Sequence, residues 1–454
     1  MKIGLLPFLP KLKPAFMPSP FQSTCHCLAV FCMLVSGNVF ADWPQWRGPT
    51  GNGTADSDAK PPIVWDHETN VRWRTPLPGR GHSTPIVSGN RIFVTAAIPS
   101  GPELPPKMSG RPGAHDNLPI TQSQQFVVIA LNRDDGSVVW QRKVHQSVPH
   151  EGGHYSASLA SASPVTDGQF VYAFFGSHGL FCLDWEGQLQ WKKDFPPMHS
   201  KHGHGEGTSP ALHAETLVIN WDHEEESFLL ALDKHTGEEK WRRPRDEVTS
   251  WSTPIIVEVN SQPQLVVCGT DRVRGYDLGT GATIWECGGM SANIVATPVA
   301  SHGIVYVGSS YDKRAMLAIQ LKGAEGDLTG SEHVLWSRSR GTPYVPSPLL
   351  YDGALYFLTH YQNILTRVDA ESGSDAPGAI RLGEIGNIYA SPVGAGGHVY
   401  VTDLQGTTQV ITHSEVPRNV SVNRLGEPVN ASIAIVGGDL FLRGDKHLYC
   451  IAEK

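Results

Sequence analysis

The sequence predicts an all-β protein in which eight four-stranded blades close into a β-propeller. Three observations predict it: a composition suited to short strands and tight turns, a proline signal that recurs at blade spacing, and a fixed step from a turn glycine to a tryptophan. Only 18% of the 454 residues are charged, while 47 glycines and 34 prolines supply the punctuation that many hairpins require. A chain this long would otherwise suggest two or three domains, but repeat-built folds grow as one closed unit.

The proline signal is a small residue followed by Ser or Thr and then Pro. It stands at Ser83-Thr84-Pro85, Ala162-Ser163-Pro164, Thr208-Ser209-Pro210, Ser252-Thr253-Pro254, Ala296-Thr297-Pro298, Pro346-Ser347-Pro348 and Ala390-Ser391-Pro392, with Ala431-Ser432-Ile433 as an eighth copy. Self-similarity at a period of 20–50 residues marks a repeat architecture. Only the first interval is long, and a Pro/Gly-rich insertion at about 99–123 accounts for much of it. Each signal opens onto an apolar strand, a turn, and an aromatic-rich strand such as Ile304-Val305-Tyr306-Val307.

The third strand of a unit ends in Ala130-Leu131-Asn132, Cys182-Leu183-Asp184, Ala231-Leu232-Asp233 or Tyr276-Asp277, and leads to Gly136, Gly187, Gly237 and Gly281. Four residues after each glycine comes a tryptophan: Trp140, Trp191, Trp241 and Trp285, with Trp336 in the fifth unit after a longer loop. Asp or Asn bonds its own turn backbone and Gly accepts positive φ, so the pair closes a hairpin between third and fourth strands. The indole is then expected on the outermost strand, wedged against the neighbouring blade. The last unit stops at Leu448-Tyr449-Cys450-Ile451 without a fourth strand, whereas residues 71–75 precede the first unit and carry Trp73. The N-terminal strand is therefore expected to complete the eighth blade, giving a propeller over 71–454 with 42–70 leading into it.

Residues 1–41 read as a secretory signal peptide, because Lys2, Lys11 and Lys13 precede an uncharged, mostly apolar run that ends in Val39-Phe40-Ala41. Its removal leaves no span for crossing a membrane and places the mature chain in the periplasm or outside the cell. The formal net charge of the whole chain is −8, and losing those three lysines makes it more negative, which disfavours nucleic acid as a partner. Cys182, Cys268, Cys287 and Cys450 remain; they show neither CxxC spacing nor an adjacent pair.

The A/C-L-D/N-x-x-x-G-x-x-x-W units are similar to the pyrroloquinoline-quinone-like (PQQ-like) repeats of quinoprotein dehydrogenases and of the propeller lipoprotein of the outer-membrane β-barrel assembly machinery. The mature start, Asp42-Trp43-Pro44-Gln45-Trp46-Arg47-Gly48-Pro49, resembles that of exported bacterial PQQ-like propellers of unassigned role. The resemblance implies the propeller fold over roughly 60–454. For the dehydrogenases it also implies a quinone held in the channel against a Trp, a clamp of adjacent cysteines, a calcium bound by Glu and Asn, and an Asp base. No Cys-Cys pair exists here and no calcium ligands match by motif, so no cofactor is expected, with PQQ and calcium kept as the alternative.

Loops on rigid scaffolds carry function. Those that precede the proline signals are rich in imidazole, aromatic and amide groups. They place His154, Tyr155, His204, Glu206, Trp251, Asn293, Tyr344 and Tyr389 around the channel mouth as a polar, aromatic-lined funnel, which second-strand turns bearing His178, Asp222 and Asp403 should join. His150, His154, His202 and His204 are the metal candidates, since imidazole with carboxylate suits zinc or another transition ion. No catalytic residue is assigned: there is no Walker loop, no Gly-x-Ser-x-Gly elbow and no His-Glu-x-x-His helix. The leading expectation is a non-catalytic module that binds a protein, peptide or glycan in the cell envelope. A PQQ-dependent alcohol or sugar dehydrogenase is the alternative, and a hydrolase using the His/Glu loops is a third.

Overall fold

The computed structural model describes residues 42–359 and 363–453; the expected signal peptide lies outside the described residues. Eight antiparallel sheets form the eight blades of a β-propeller, and the described residues contain only two single-turn helices, Gly176–His178 and Lys201–Gly203. Blades 1 to 7 begin at Ile86, Val165, Ala211, Ile255, Val299, Leu349 and Val393, each just after its proline signal. Blade 8 holds Ala434–Val436, Asp439–Arg443 and His447–Ile451, and its outermost position is taken by Val71–Pro76, which runs antiparallel to His447–Ile451 with Thr75 opposite Leu448. None of the helices among the described residues is long and apolar enough to cross a membrane.

The Ser/Thr that precedes each proline has a defined task at the axis. The amide of Thr84 donates to the Ser163 hydroxyl, Ser163 to Ser209, Ser209 to Thr253, Thr253 to Thr297, Thr297 to Ser347, Ser347 to Ser391 and Ser391 to Ser432, at 2.9–3.0 Å. Proline biases the preceding residue to an extended backbone, and that residue's buried amide needs an acceptor, which the next blade's hydroxyl supplies. The motif is therefore an interblade connector rather than a turn.

At the rim the glycine and tryptophan spacing resolves into a second connector. The indole Nε1 of Trp73, Trp140, Trp191, Trp241 and Trp336 donates at 2.9 Å to a turn carbonyl of the following blade, at Arg133, Trp185, Lys234, Leu278 and Ala370. The same five rings lie against Gly136, Gly187, Gly237, Gly281 and Gly373, where a Cβ would sit 2.5–2.7 Å from the indole. These glycines also have φ near +70°, so a side chain is excluded twice over.

Trp285 departs from the expectation. It is buried within its own blade, where Nε1 donates to Gln264 Oε1 at 2.9 Å. The reason lies in blade 5, whose third-to-fourth-strand turn is lengthened. That loop sends Gly326–Asp327 back as a fifth strand of blade 4, parallel to Trp285 and Glu286, so the rim contact is replaced by edge pairing.

Residues 42–65 cross the end of the channel opposite the loops that precede the proline signals. Trp43 pairs with Val87 of blade 1, Pro44 O accepts from Thr166 of blade 2, and the Asn52 side chain bonds both backbone groups of Ala300 in blade 5. Arg47, wholly buried, donates to Pro392 O at 2.8 Å and to Pro348 O, one residue past the hydroxyl ring in blades 7 and 6. Trp65 stacks on Tyr400 of blade 7.

Trp241→Ala is expected to lower the unfolding free energy by about 3 kcal/mol, measured by urea denaturation. Gly281→Ala should also destabilise, and the double variant should cost less than the sum because both changes break one contact; strictly additive costs would mean that the indole and the turn are independent.

Candidate functional site

The mouth of the propeller holds two hollows that share a wall. A central chamber of about 210 Å³ lies on the axis, lined by ring hydroxyls including Thr84, Ser163 and Ser209, by His82, His204, Glu206, Trp251, Tyr389 and Asn430 above them, and by Trp46 of the crossing segment. Beside it, between blades 1 and 2, a cavity of about 320 Å³ is bordered by Leu118, Ile120, Phe174 and Phe175 together with His150, Glu151, His154 and His178. Glu206 and its glycine neighbours line both.

The insertion roofs this region. Asp116 O accepts from Tyr155 N at 2.8 Å, Leu118 N donates to Gly153 O at 2.8 Å, and Asn117 Nδ2 donates to His202 O at 2.8 Å. His115 of the insertion packs against His202 and His204, and the His204 ring also meets that of His154 at 5.0 Å. Burial first, then the neighbouring imidazoles His154, His115 and His202, hold His204 down at about 4, so it is neutral at neutral pH. Its Nε2 is buried without a hydrogen-bond partner.

Glu206 is half-buried. Its oxygens accept from the Ser177 hydroxyl and the Ser177 amide, both at 2.6 Å, and these bonds favour the carboxylate. Desolvation outweighs them and pushes the carboxyl up to about 7. Burial likewise pulls His82 and His178 down to about 3.

The structure brings His154, His204, Glu206, Trp251 and Tyr389 to the hollows, and Trp251 Nε1 anchors the His204 loop by donating to Gly205 O at 2.8 Å. Tyr155 is exposed beside them, its ring tilted against His154. Tyr344 sits half-buried one residue before the chamber-lining Val345. Asn293 is a strut instead: it is buried, its Nδ2 donates to Thr249 O at 2.7 Å, and its Oδ1 accepts from Lys201. Of the second-strand turns, two serve the structure: Asp222 is paired with Arg245 at 2.8 Å out of solvent and Asp403 caps its own turn, whereas His178, stacked on Phe126, lines the cavity between blades 1 and 2.

Of the metal candidates, His202 is committed to Pro112 O, while His150 joins Glu151 and His199 rather than the other three histidines. Sequence reading overlooked His199, although it lies in the same loop as His202, and also His115 and Trp46. The pairing of Trp46 with Arg47 was the available signal for the last of these.

An axial ring of Ser/Thr-Pro connectors with rim indoles on turn glycines defines a PQQ-like β-propeller. The chain belongs to the family of the outer membrane protein assembly factor BamB, whose model matches residues 57–198, 124–378 and 229–454. Among solved structures it is similar to BamB from Moraxella catarrhalis, at 13% identity and a TM-score of 0.53, over 79% of this chain and 97% of that one. It is likewise similar to quinohemoprotein alcohol dehydrogenase from Comamonas testosteroni, at 10% identity and 0.59, over 91% and 81%. The computationally designed Ika8 protein matches at 14% and 0.54, over 83% and 98%. These likenesses show the fold. No curated protein sequence matches the chain.

Folded Glu206 keeps its proton up to about pH 7, whereas the unfolded chain releases it near its ordinary value of 4.5. Its contribution to stability is thus present below about 4.5 and lost as pH rises to 7. The unfolding free energy of the wild type relative to Glu206→Gln should therefore fall by about 3 kcal/mol across that window, measured by urea melts; a flat difference would show an ordinary carboxylate.

Proposed function

We propose that the protein is a non-catalytic binding module of the cell envelope that presents the channel mouth to a protein, peptide or glycan. The observation that carries this reading is the one-sided channel: residues 42–65 cross its far end with Arg47 and Trp46 inserted, so the mouth is the approach open to a partner. The mouth offers aromatic faces, imidazoles, hydroxyls and amides with little charge, a chemistry suited to hydrogen-bonding and stacking against peptide or sugar. The BamB relatives, named as assembly factors of an outer membrane protein, accord with a partner-binding role in the envelope.

The chamber does not fit PQQ. That quinone carries three carboxylates, which need cationic or multiple hydrogen-bond partners once out of water. Among the described residues no Lys or Arg lines the chamber, its one carboxyl is that of Glu206, and the buried Arg47 and Arg443 direct their terminal nitrogens to backbone carbonyls and the Ser83 hydroxyl. The four described cysteines are buried and free, none adjacent to another.

Two measurements test the reading. A photo-crosslinking residue at Tyr344 should capture an envelope partner, whereas the same residue at Ser57, exposed on the opposite end, should not; equal capture from both would sink it. Reconstitution with PQQ and calcium should give no dye reduction with alcohols or sugars, and sustained turnover would replace this proposal with the dehydrogenase.

A further inference from the structure

His150 and Glu151 come from the connection between blades 1 and 2, and His199 from the connection between blades 2 and 3, yet one ligand atom of each lies within 4.8 Å of the others. Each is steered from behind. His150 Nε2 bonds Met198 O at 2.8 Å, which puts the proton on that nitrogen and leaves a lone pair on Nδ1. Glu151 Oε1 accepts from the Ser109 hydroxyl at 2.6 Å, leaving Oε2 unengaged by hydrogen bonds. His199 Nε2 stands 3.8 Å from Glu225, and its Nδ1 stands 3.7 Å from Glu151 Oε2.

Those two separations are too long for hydrogen bonds. His199 Nδ1 is nonetheless shut off from solvent and has no hydrogen-bond partner. A buried polar atom in that condition is costly, and an ion between it and the carboxylate would satisfy both.

We propose that His150, Glu151 and His199 bind a divalent transition ion of the zinc class. Two imidazoles and one carboxylate are borderline donors that favour zinc, cobalt or nickel over calcium and magnesium, whose preferred ligands are all oxygen. Three protein ligands leave a coordination position open. The cavity that His150 and Glu151 also line gives that position room for water or for an oxygen of a bound molecule. Ser109 and Met198 O are the outer partners that orient such ligands. Through Ser109 the ion would also fasten the insertion to the loops of blades 2 and 3. The proposal is independent of what the channel mouth binds.

The test is calorimetric titration of the untagged chain, stripped with chelator, with zinc chloride. One equivalent should bind, and Glu151→Gln and His199→Ala should each abolish the heat while retaining the wild-type circular dichroism. Ser109→Ala should weaken binding by about 10–100-fold, and His202→Ala, whose ring bonds Pro112 O, should bind as the wild type does. If His199→Ala does not fold, the equal-sized Glu151→Gln carries the test. Substoichiometric uptake by the wild type, binding that survives Glu151→Gln, or loss confined to His202→Ala would overturn the assignment.

Discussion

Everything in this molecule depends on the circle of amide-to-hydroxyl bonds around the axis. A single four-stranded sheet with two apolar faces has no stable existence in water, and closing eight of them leaves the innermost backbone amides crowded and dry. A Ser or Thr hydroxyl from the next blade answers each one in the seven links that run from Thr84 to Ser432. The net gain per bond is about 1 kcal/mol, but an unanswered buried amide costs about 1–3 kcal/mol, so the arrangement acts chiefly by making a wrong spacing expensive. The indoles at the rim serve the same geometry from outside. Axis and rim together fix both the distance and the tilt between adjacent sheets.

That rigidity is what allows the mouth to be irregular. Loops that return to a fixed ring can carry glycine-rich His sequences without losing their positions. The roofing insertion closes a hollow whose polar groups are held in the states that burial dictates: a carboxyl kept protonated towards neutrality and imidazoles kept neutral. Elsewhere the interior holds a saturated ionic set, where Arg245 meets Asp222, Glu247 and the Tyr276 hydroxyl. Buried pairs of this kind fix one arrangement more than they add stability.

The blade architecture was legible because its determinants are local and periodic. A Ser-Pro pair or a Gly-x-x-x-Trp step reports the same geometry wherever it occurs, and the residues concerned lie within a few positions of one another. Trp285 broke the pattern because a loop in the following blade, at Gly326, changed its surroundings. No spacing rule around Trp285 contains that information. The site was legible only in part for the same reason. Loop histidines marked the right face, but whether a given side chain faces the hollow depends on partners blades away: Asn293 on Lys201 and Thr249, Asp222 on Arg245, His199 on Glu151.

The crossing segment at the N-terminus has a kinetic meaning as well as a structural one. It is synthesised before any blade, yet Arg47, Thr54 and Lys60 find their partners at Pro392, Gly394 and Gly437, near the other end of the chain. The rim between blades 6 and 7 and between blades 7 and 8 lacks an indole contact, as does that between blades 4 and 5, and at the first two the segment supplies its own bonds across the junctions. Contacts so distant in sequence form late, because the loop they close carries the largest entropy cost. Growing chains therefore pass through lengths at which most blades exist but nothing laces the last of them, and resistance to proteolysis should arrive abruptly with the final few dozen residues.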